Sequence, residues 1–265
     1  MSAPVTSTGG PGSSSDRAAT RPPSRPASLW LLTTVLTRTA QGRLRLALSV
    51  GAALALGAVG LVVRARADAA VGVEDELVAT LVAALVLTLY APLISLVQAA
   101  AVVGDLRDDG TLVYLWLRPV PRWRLALAAA FAVGVRSAPL AVLAAVVLAL
   151  AAGGSADVVV ASGYAALLAC VGYAGLFSFL GLAVRRALVW GLVYVLVWEG
   201  VVGTFGALPA RLAVSSYSTS VLAHLGGTPV PPQGVGLAWA WAGPLVIALV
   251  ALLASHRRLV RGEVA

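Results

Sequence analysis

The sequence contains no lysine; all 19 of its Lys+Arg residues are arginine. A P-loop needs the lysine of G-x-x-x-x-G-K-[ST] to reach phosphates. Schiff-base chemistry needs a lysine amine. Neither belongs to this chain, so it is not expected to bind ATP in the usual way or to be an enzyme of these kinds. Cysteine occurs once, as Cys170 inside an apolar run, which excludes a disulfide framework and a thiolate metal cage. The two histidines, His224 and His256, lie far apart with no carboxylate cluster beside them, so no metal site is expected. Charge is scarce too. Charged residues are 11% of the chain, against about 25% in ordinary soluble domains.

What fills the sequence instead is hydrocarbon. Hydrophobic residues make up 60% of the 265 positions, and the mean hydropathy is +0.93. A soluble fold cannot hide that much apolar surface, so lipid is the natural solvent. The length suits one membrane domain. A net charge of +8 raises the question of nucleic acid. The arginines, however, fall at the ends of apolar runs, where membrane topology rather than a phosphate backbone accounts for them.

Residues 1–27 are rich in Ser, Pro, Gly, Ala and Thr and carry Arg17, Arg21 and Arg25. Such a segment cannot bury enough apolar surface to order itself, and it reads as a disordered cytoplasmic tail ahead of a membrane domain over 28–265. A cleaved signal peptide is the competing reading, but the first apolar run starts late and is long for one. Between Ser28 and Gln41, apolar Leu29, Leu32, Val35, Leu36 and Ala40 share one side, with Trp30 as an anchor. This predicts a short interfacial helix; an irregular lead-in is the alternative.

Six apolar runs follow, at about 44–63, 77–103, 125–152, 158–184, 187–208 and 235–254. Each reaches the ~20 residues needed to cross ~30 Å of hydrocarbon. They lack period-two alternation, so the expectation is an all-α integral membrane protein with six spans. Residues 209–232, between spans five and six, are expected to form an external hairpin or a partly re-entrant segment. Six spans place Arg38, Arg43, Arg45, Arg107, Arg118, Arg122, Arg124, Arg185, Arg186, Arg257, Arg258 and Arg261 on one side. Arg64, Arg66 and Arg211 fall on the other. The arginine-rich side is cytoplasmic, which puts both termini there and makes the chain a multi-pass protein of the cell membrane.

The most distinctive stretch joins spans two and three. Asp105, Arg107, Asp108 and Asp109 lead into Gly110 and Thr111. An amphipathic run from Leu112 to Leu117 comes next, closed by Arg118 and Pro119, with Pro121, Arg122 and Arg124 opening the next span. The prolines cannot continue a helix. Asp109 or Thr111 suits its N-terminus, where carboxylates are favoured.

In kind and order, Asp105, Asp108, Asp109, Gly110, Thr111, Pro119 and Arg122 resemble the cytoplasmic loop of ABC-transporter permease subunits of the type-two exporter class. There an acidic stretch and Gly-Thr precede a short helix and Pro-x-x-Arg; the acids here are Asp where that class often has Glu. Trp198-Glu199-Gly200 and the Leu208–Arg211 stretch are similar to the end of that class's fifth span and its external hairpin. The resemblance covers nearly all of the chain except the tail. It implies a six-span permease working as a dimer, homomeric or with a paralogue, and a separate ABC ATPase docking on the cytoplasmic loop. No cofactor and no nucleic acid are implied.

Two charges lie inside apolar runs. At 1.5 Å per residue Arg136 stands ~16 Å from the start of its span and Glu199 ~18 Å from the start of its own. Intramembrane charges are costly and find partners or water. The two depths agree, so pairing, a shared polar path and independent placement are all open. Other functions fit less well. An intramembrane protease needs a nucleophile and a base within the bilayer, and no histidine falls in a span. An ion-coupled transporter calls for inverted repeats and more intramembrane carboxylates than Glu199. It stands, with a non-catalytic scaffold, as the alternative to the permease.

Overall fold

The computed structural model describes residues 42–67, 73–104, 121–184, 186–199, 213–229 and 235–261. The tail over 1–27, the expected interfacial helix over 28–41 and the acidic loop from Asp105 to Pro119 lie outside the described residues. Every described element is helical. They are α1 (Arg43–Arg66), α2 (Asp75–Leu81), α3 (Ala91–Ala99), α4 (Arg122–Ala152), α5 (Ala156–Ala183), α6 (Ala187–Val193), α7 (Val214–Gly226) and α8 (Leu237–Arg261).

Between α2 and α3 the chain stays helical but widens into a π-helix over Val82–Tyr90, and it widens again over Ala100–Gly104. The residues joining these pieces keep right-handed helical angles, so 75–104 is one rod. Pro92 explains the first widening. Proline has no N–H to give and crowds the carbonyl one turn back, and a π-bulge absorbs that mismatch without breaking the rod. Thr88 follows the wider geometry, its hydroxyl donating to the Ala83 carbonyl five residues back at 3.0 Å.

Among the described residues, five helices are long and apolar enough to cross a membrane: Leu44–Arg66, Asp75–Val102, Arg122–Ala152, Ala156–Ala183 and Leu237–Val260. They match expected spans one to four and six. The fifth expected run, over 187–208, is described only in part. Its described helix covers only Ala187–Glu199, ending in a π-helix from Tyr194. At 1.5 Å per residue, 13 residues reach ~20 Å, short of the hydrocarbon core.

α5 is the hub. Of its apolar window 72% is buried, against 22% for the first and last spans. It packs on α4, α8, α7 and α3, while α1 packs chiefly on α4. Without a hydrophobic driving force between helices in lipid, small residues let backbones approach. At Gly175 an added Cβ would stand 2.6 Å from the Ala248 Cα, so α5 and α8 touch backbone to backbone. Gly60 does the same for α1 and α4, its added Cβ meeting the Leu148 carbonyl at 2.7 Å.

These contacts also give direction. Gly172 meets Pro244 and Gly175 meets Ala248, so α5 and α8 run parallel. The chain between them, 184–236, must therefore travel from one end of the bundle to the other. α4 and α5 are antiparallel, joined by a tight turn. Gly153 takes the left-handed conformation at φ 88, and the Gly154 N–H donates to the Ala149 carbonyl at 2.9 Å, closing α4 in a Schellman motif. Ser155 caps α5 by accepting from Val158, and its own N–H donates to the Asp75 carboxylate at 2.8 Å. One end of the bundle thus gathers Arg45, Arg122, Arg124, Arg186, Arg257 and Arg258, and the opposite end holds Arg64 and Arg66. Leu54, Leu61, Trp190, Trp239 and Leu249 face outward, an apolar shell suited to lipid.

Candidate functional site

Three polar groupings break this apolar body. The first is at the arginine-rich end. Of the loop residues singled out in the sequence, Asp105, Arg107, Asp108, Asp109, Gly110, Thr111, Arg118 and Pro119 lie outside the described residues; Arg122 is described. Pro121 is the N-cap of α4, and its carbonyl accepts from the Arg124 N–H at 2.9 Å. The Arg122 guanidinium reaches across to the end of α8, where its Nη1 donates to the Leu259 carbonyl and, at 2.9 Å, to that of Val260. The Arg124 guanidinium lies over the Trp123 ring, 5.3 Å from its centroid, which suits an interfacial anchor.

Arg136 forms the second grouping, midway along α4. Its Nε donates to Gln98 Oε1 at 2.8 Å. Gln98 is buried in α3. An amide oxygen in place of a carboxylate neutralises nothing, but it gives the guanidinium a fixed acceptor inside the bundle.

The third surrounds Glu199, which is 4% exposed. Its carboxylate accepts from the Val214 N–H at 3.1 Å and from the Tyr194 hydroxyl at 3.2 Å, and it also accepts from the Ser215 hydroxyl. Val214 and Ser215 open α7. The first N–H groups of a helix lack intrahelical acceptors and carry partial positive charge, so the carboxylate caps α7 from a distant part of the chain. Tyr173 is fully buried in α5. It stacks on Phe177 at 5.7 Å, and Phe177 meets Tyr194 edge to face at 6.0 Å. Arg136 and Glu199, matched in depth by the sequence, thus sit in separate hydrogen-bond sets.

Glu199 also explains where α7 lies. Val214 packs against Gly172 in the middle of α5, whereas Gly226 lies beside Val158 and Ala161 near its start. The helix therefore rises from mid-bundle to the arginine-poor end. Val214 to Leu222 is almost wholly buried. Within the region expected to be a hairpin or a partly re-entrant segment, Val214–Gly226 is a helix embedded to half the depth of the bundle. Its serines are compatible with that because they bond their own backbone: Ser218 to the Val214 carbonyl at 3.1 Å and Ser220 to that of Ser216 at 2.8 Å. His224 is exposed and bonds the Ser220 carbonyl at 2.7 Å through Nδ1.

Gln98 and Ser215 escaped the sequence reading, which used Arg258 only as part of the charge that orients the chain. Gln98 carried a usable signal as a lone amide within an apolar run. The roles of Ser215 and Arg258 depend on which helix faces which. A groove of about 590 Å³ lies between α4, α5 and α8, lined by Phe131, Pro139, Leu167, Val171 and Leu252 among others. Its walls are apolar and bring no chemistry to the polar groupings.

Residues 43–222 match a family model described as ABC-2 family transporter protein. No curated protein matches the chain.

Proposed function

Because the chain belongs to the ABC-2 family of transporter membrane proteins, we propose that it is the permease subunit of an ABC exporter, driven by a separate ATPase and forming the transport path as a dimer. The single observation that carries this reading is the family match, which spans most of the described helices. The chain has no P-loop lysine, so the ATP-binding motif resides in the partner.

The coupling element in this proposal is the loop from Asp105 to Arg122, on the cytoplasmic side. The position of Arg122 supports it. A residue at the end of that loop is bonded to the last turn of α8, so a force on the loop has a fixed route into the bundle. The six-crossing topology is supported by the parallel course of α5 and α8, which requires one net crossing within 184–236. Residues 187–208 make that crossing as span five, and α7 is a re-entrant helix of the external hairpin. Both termini and the arginine-rich end face the cytoplasm, by the positive-inside rule, in the cell membrane. Arg136 and Glu199 are proposed to border the path, each held by its own partners.

The test is biochemical. An ABC ATPase recovered with the permease from native membranes is the expected result. Substituting Gly110-Thr111, or Asp105, Asp108 and Asp109 together, is expected to leave expression intact while uncoupling ATP hydrolysis from transport. Transport that survives both changes, or native membranes that yield no ATPase, would refute the reading.

A further inference from the structure

Two arginines staple three helix ends together. Arg122, the first residue of α4, donates to the Leu259 and Val260 carbonyls at the end of α8. Arg258, one residue before Leu259, points the other way, and its Nη1 donates at 2.6 Å to the carbonyl of Ala183, the last residue of α5. The last carbonyls of a helix have no intrahelical donor and carry partial negative charge. A guanidinium answers both needs with a charge-assisted bond. The azimuth of α8 is set by Ser255 and Leu259, both buried, and this turns Arg258 toward α5 while Arg257 stays exposed. Beyond Ala183 the chain passes within four residues to Ala187, where α6 begins.

We propose that Arg122 and Arg258 are positioning residues that bind the arginine-rich ends of α4, α8 and α5 into one mechanical unit. A displacement applied at the loop before α4 then arrives at the junction before α6, and so at the segment ending in Glu199. The inference rests on the permease reading, which supplies the ATPase that displaces the loop. It gives Arg258 a role tied to one carbonyl, beyond a share in the charge that orients the chain.

The test uses the full permease–ATPase complex in lipid nanodiscs. Cys170 is replaced by Ser, and spin labels are placed singly or in pairs at Trp123, Arg186 and Val260. Pulsed electron paramagnetic resonance measures distances within one chain and between copies, with and without ATP. In the otherwise native chain the three intrachain distances are expected to stay constant while the distances between copies shift. In R258L the Trp123 label still shifts with ATP and the Arg186 label no longer follows; R258K, which retains a donor, restores it. Full movement of the Arg186 label in R258L would overturn the relay. So would intrachain distances that change with ATP as much as those between copies, a measurement that holds even if R258L fails to accumulate. Labels that move with ATP but independently sink the relay alone, whereas labels that never respond to ATP remove the permease reading and the relay with it.

Discussion

Replacing Glu199 with alanine removes three hydrogen bonds at once, and the damage is expected to be local. The Val214 N–H loses its acceptor at 3.1 Å, and the Tyr194 and Ser215 hydroxyls lose theirs. The hydroxyls can turn to other acceptors, but the N–H has a fixed direction. Hydrogen bonds to a charged group contribute roughly 1.5–3 kcal/mol each, and a stranded buried donor costs about 1–3 kcal/mol. Allowing for rotation of the hydroxyls, α7 should lose about 3 kcal/mol of protection against local opening. At 1.4 kcal/mol per decade that is roughly a hundredfold faster exchange. Hydrogen exchange read by mass spectrometry on peptides covering Val214–Gly226 measures it. Glu199→Gln keeps one carbonyl oxygen and should fall between wild type and alanine. Exchange in α7 that is unchanged in the alanine variant would refute the anchoring role. So would acceleration spread equally over α4 and α5, which would mean a global loss rather than a released helix.

Two further outcomes follow from packing and pairing. Gly175→Leu drives a side chain into the Ala248 backbone and should lower the thermal midpoint in detergent by an amount corresponding to about 1–3 kcal/mol or more. Gly51→Ala, with nothing within 4 Å of the added carbon, should leave the midpoint unchanged; equal effects of the two would contradict backbone contact between α5 and α8. Gln98→Leu withdraws the acceptor of the Arg136 Nε–H and should cost about 1–3 kcal/mol, seen as a lower yield of folded protein by size exclusion. Gln98→Glu should retain that yield, and a leucine variant as stable as wild type would show that the amide is dispensable.

The spans were legible because lipid selects composition directly: the apolar runs and the arginine bias locate five crossings to within a few residues. Their ends were less legible. α8 runs on through Arg257, Arg258 and Arg261 because the helix ladder is not limited by the lipid edge, and its last carbonyls are met by Arg122. The run over 187–208 reads as a full span, and composition does not reveal that its helix widens over Tyr194–Glu199. Residues 209–232 read as an external hairpin or a partly re-entrant segment, and their serines do not decide between the two. Serine satisfied by its own helix is not polar to its surroundings, and only the embedded structure brings that out. Arg136 and Glu199 shared a depth, but depth is one coordinate. The helix azimuth, which pairs Arg136 with Gln98 and Glu199 with α7, requires knowing which faces meet.

The packing of α1 on α4 has a consequence for biogenesis. When α1 leaves the ribosome its docking surface has not yet been made, so it must reside alone in the bilayer. Its composition permits this, with no charge between Arg45 and Arg64. The later charges arrive under different terms. Gln98 is already in place when Arg136 enters, so that guanidinium meets a waiting partner. Glu199 enters before Val214 and Ser215 exist. For the interval of synthesis that separates them, its carboxylate has no cap, and the insertion machinery or the already assembled tyrosines of α5 and the π-helix must shelter it until α7 folds back.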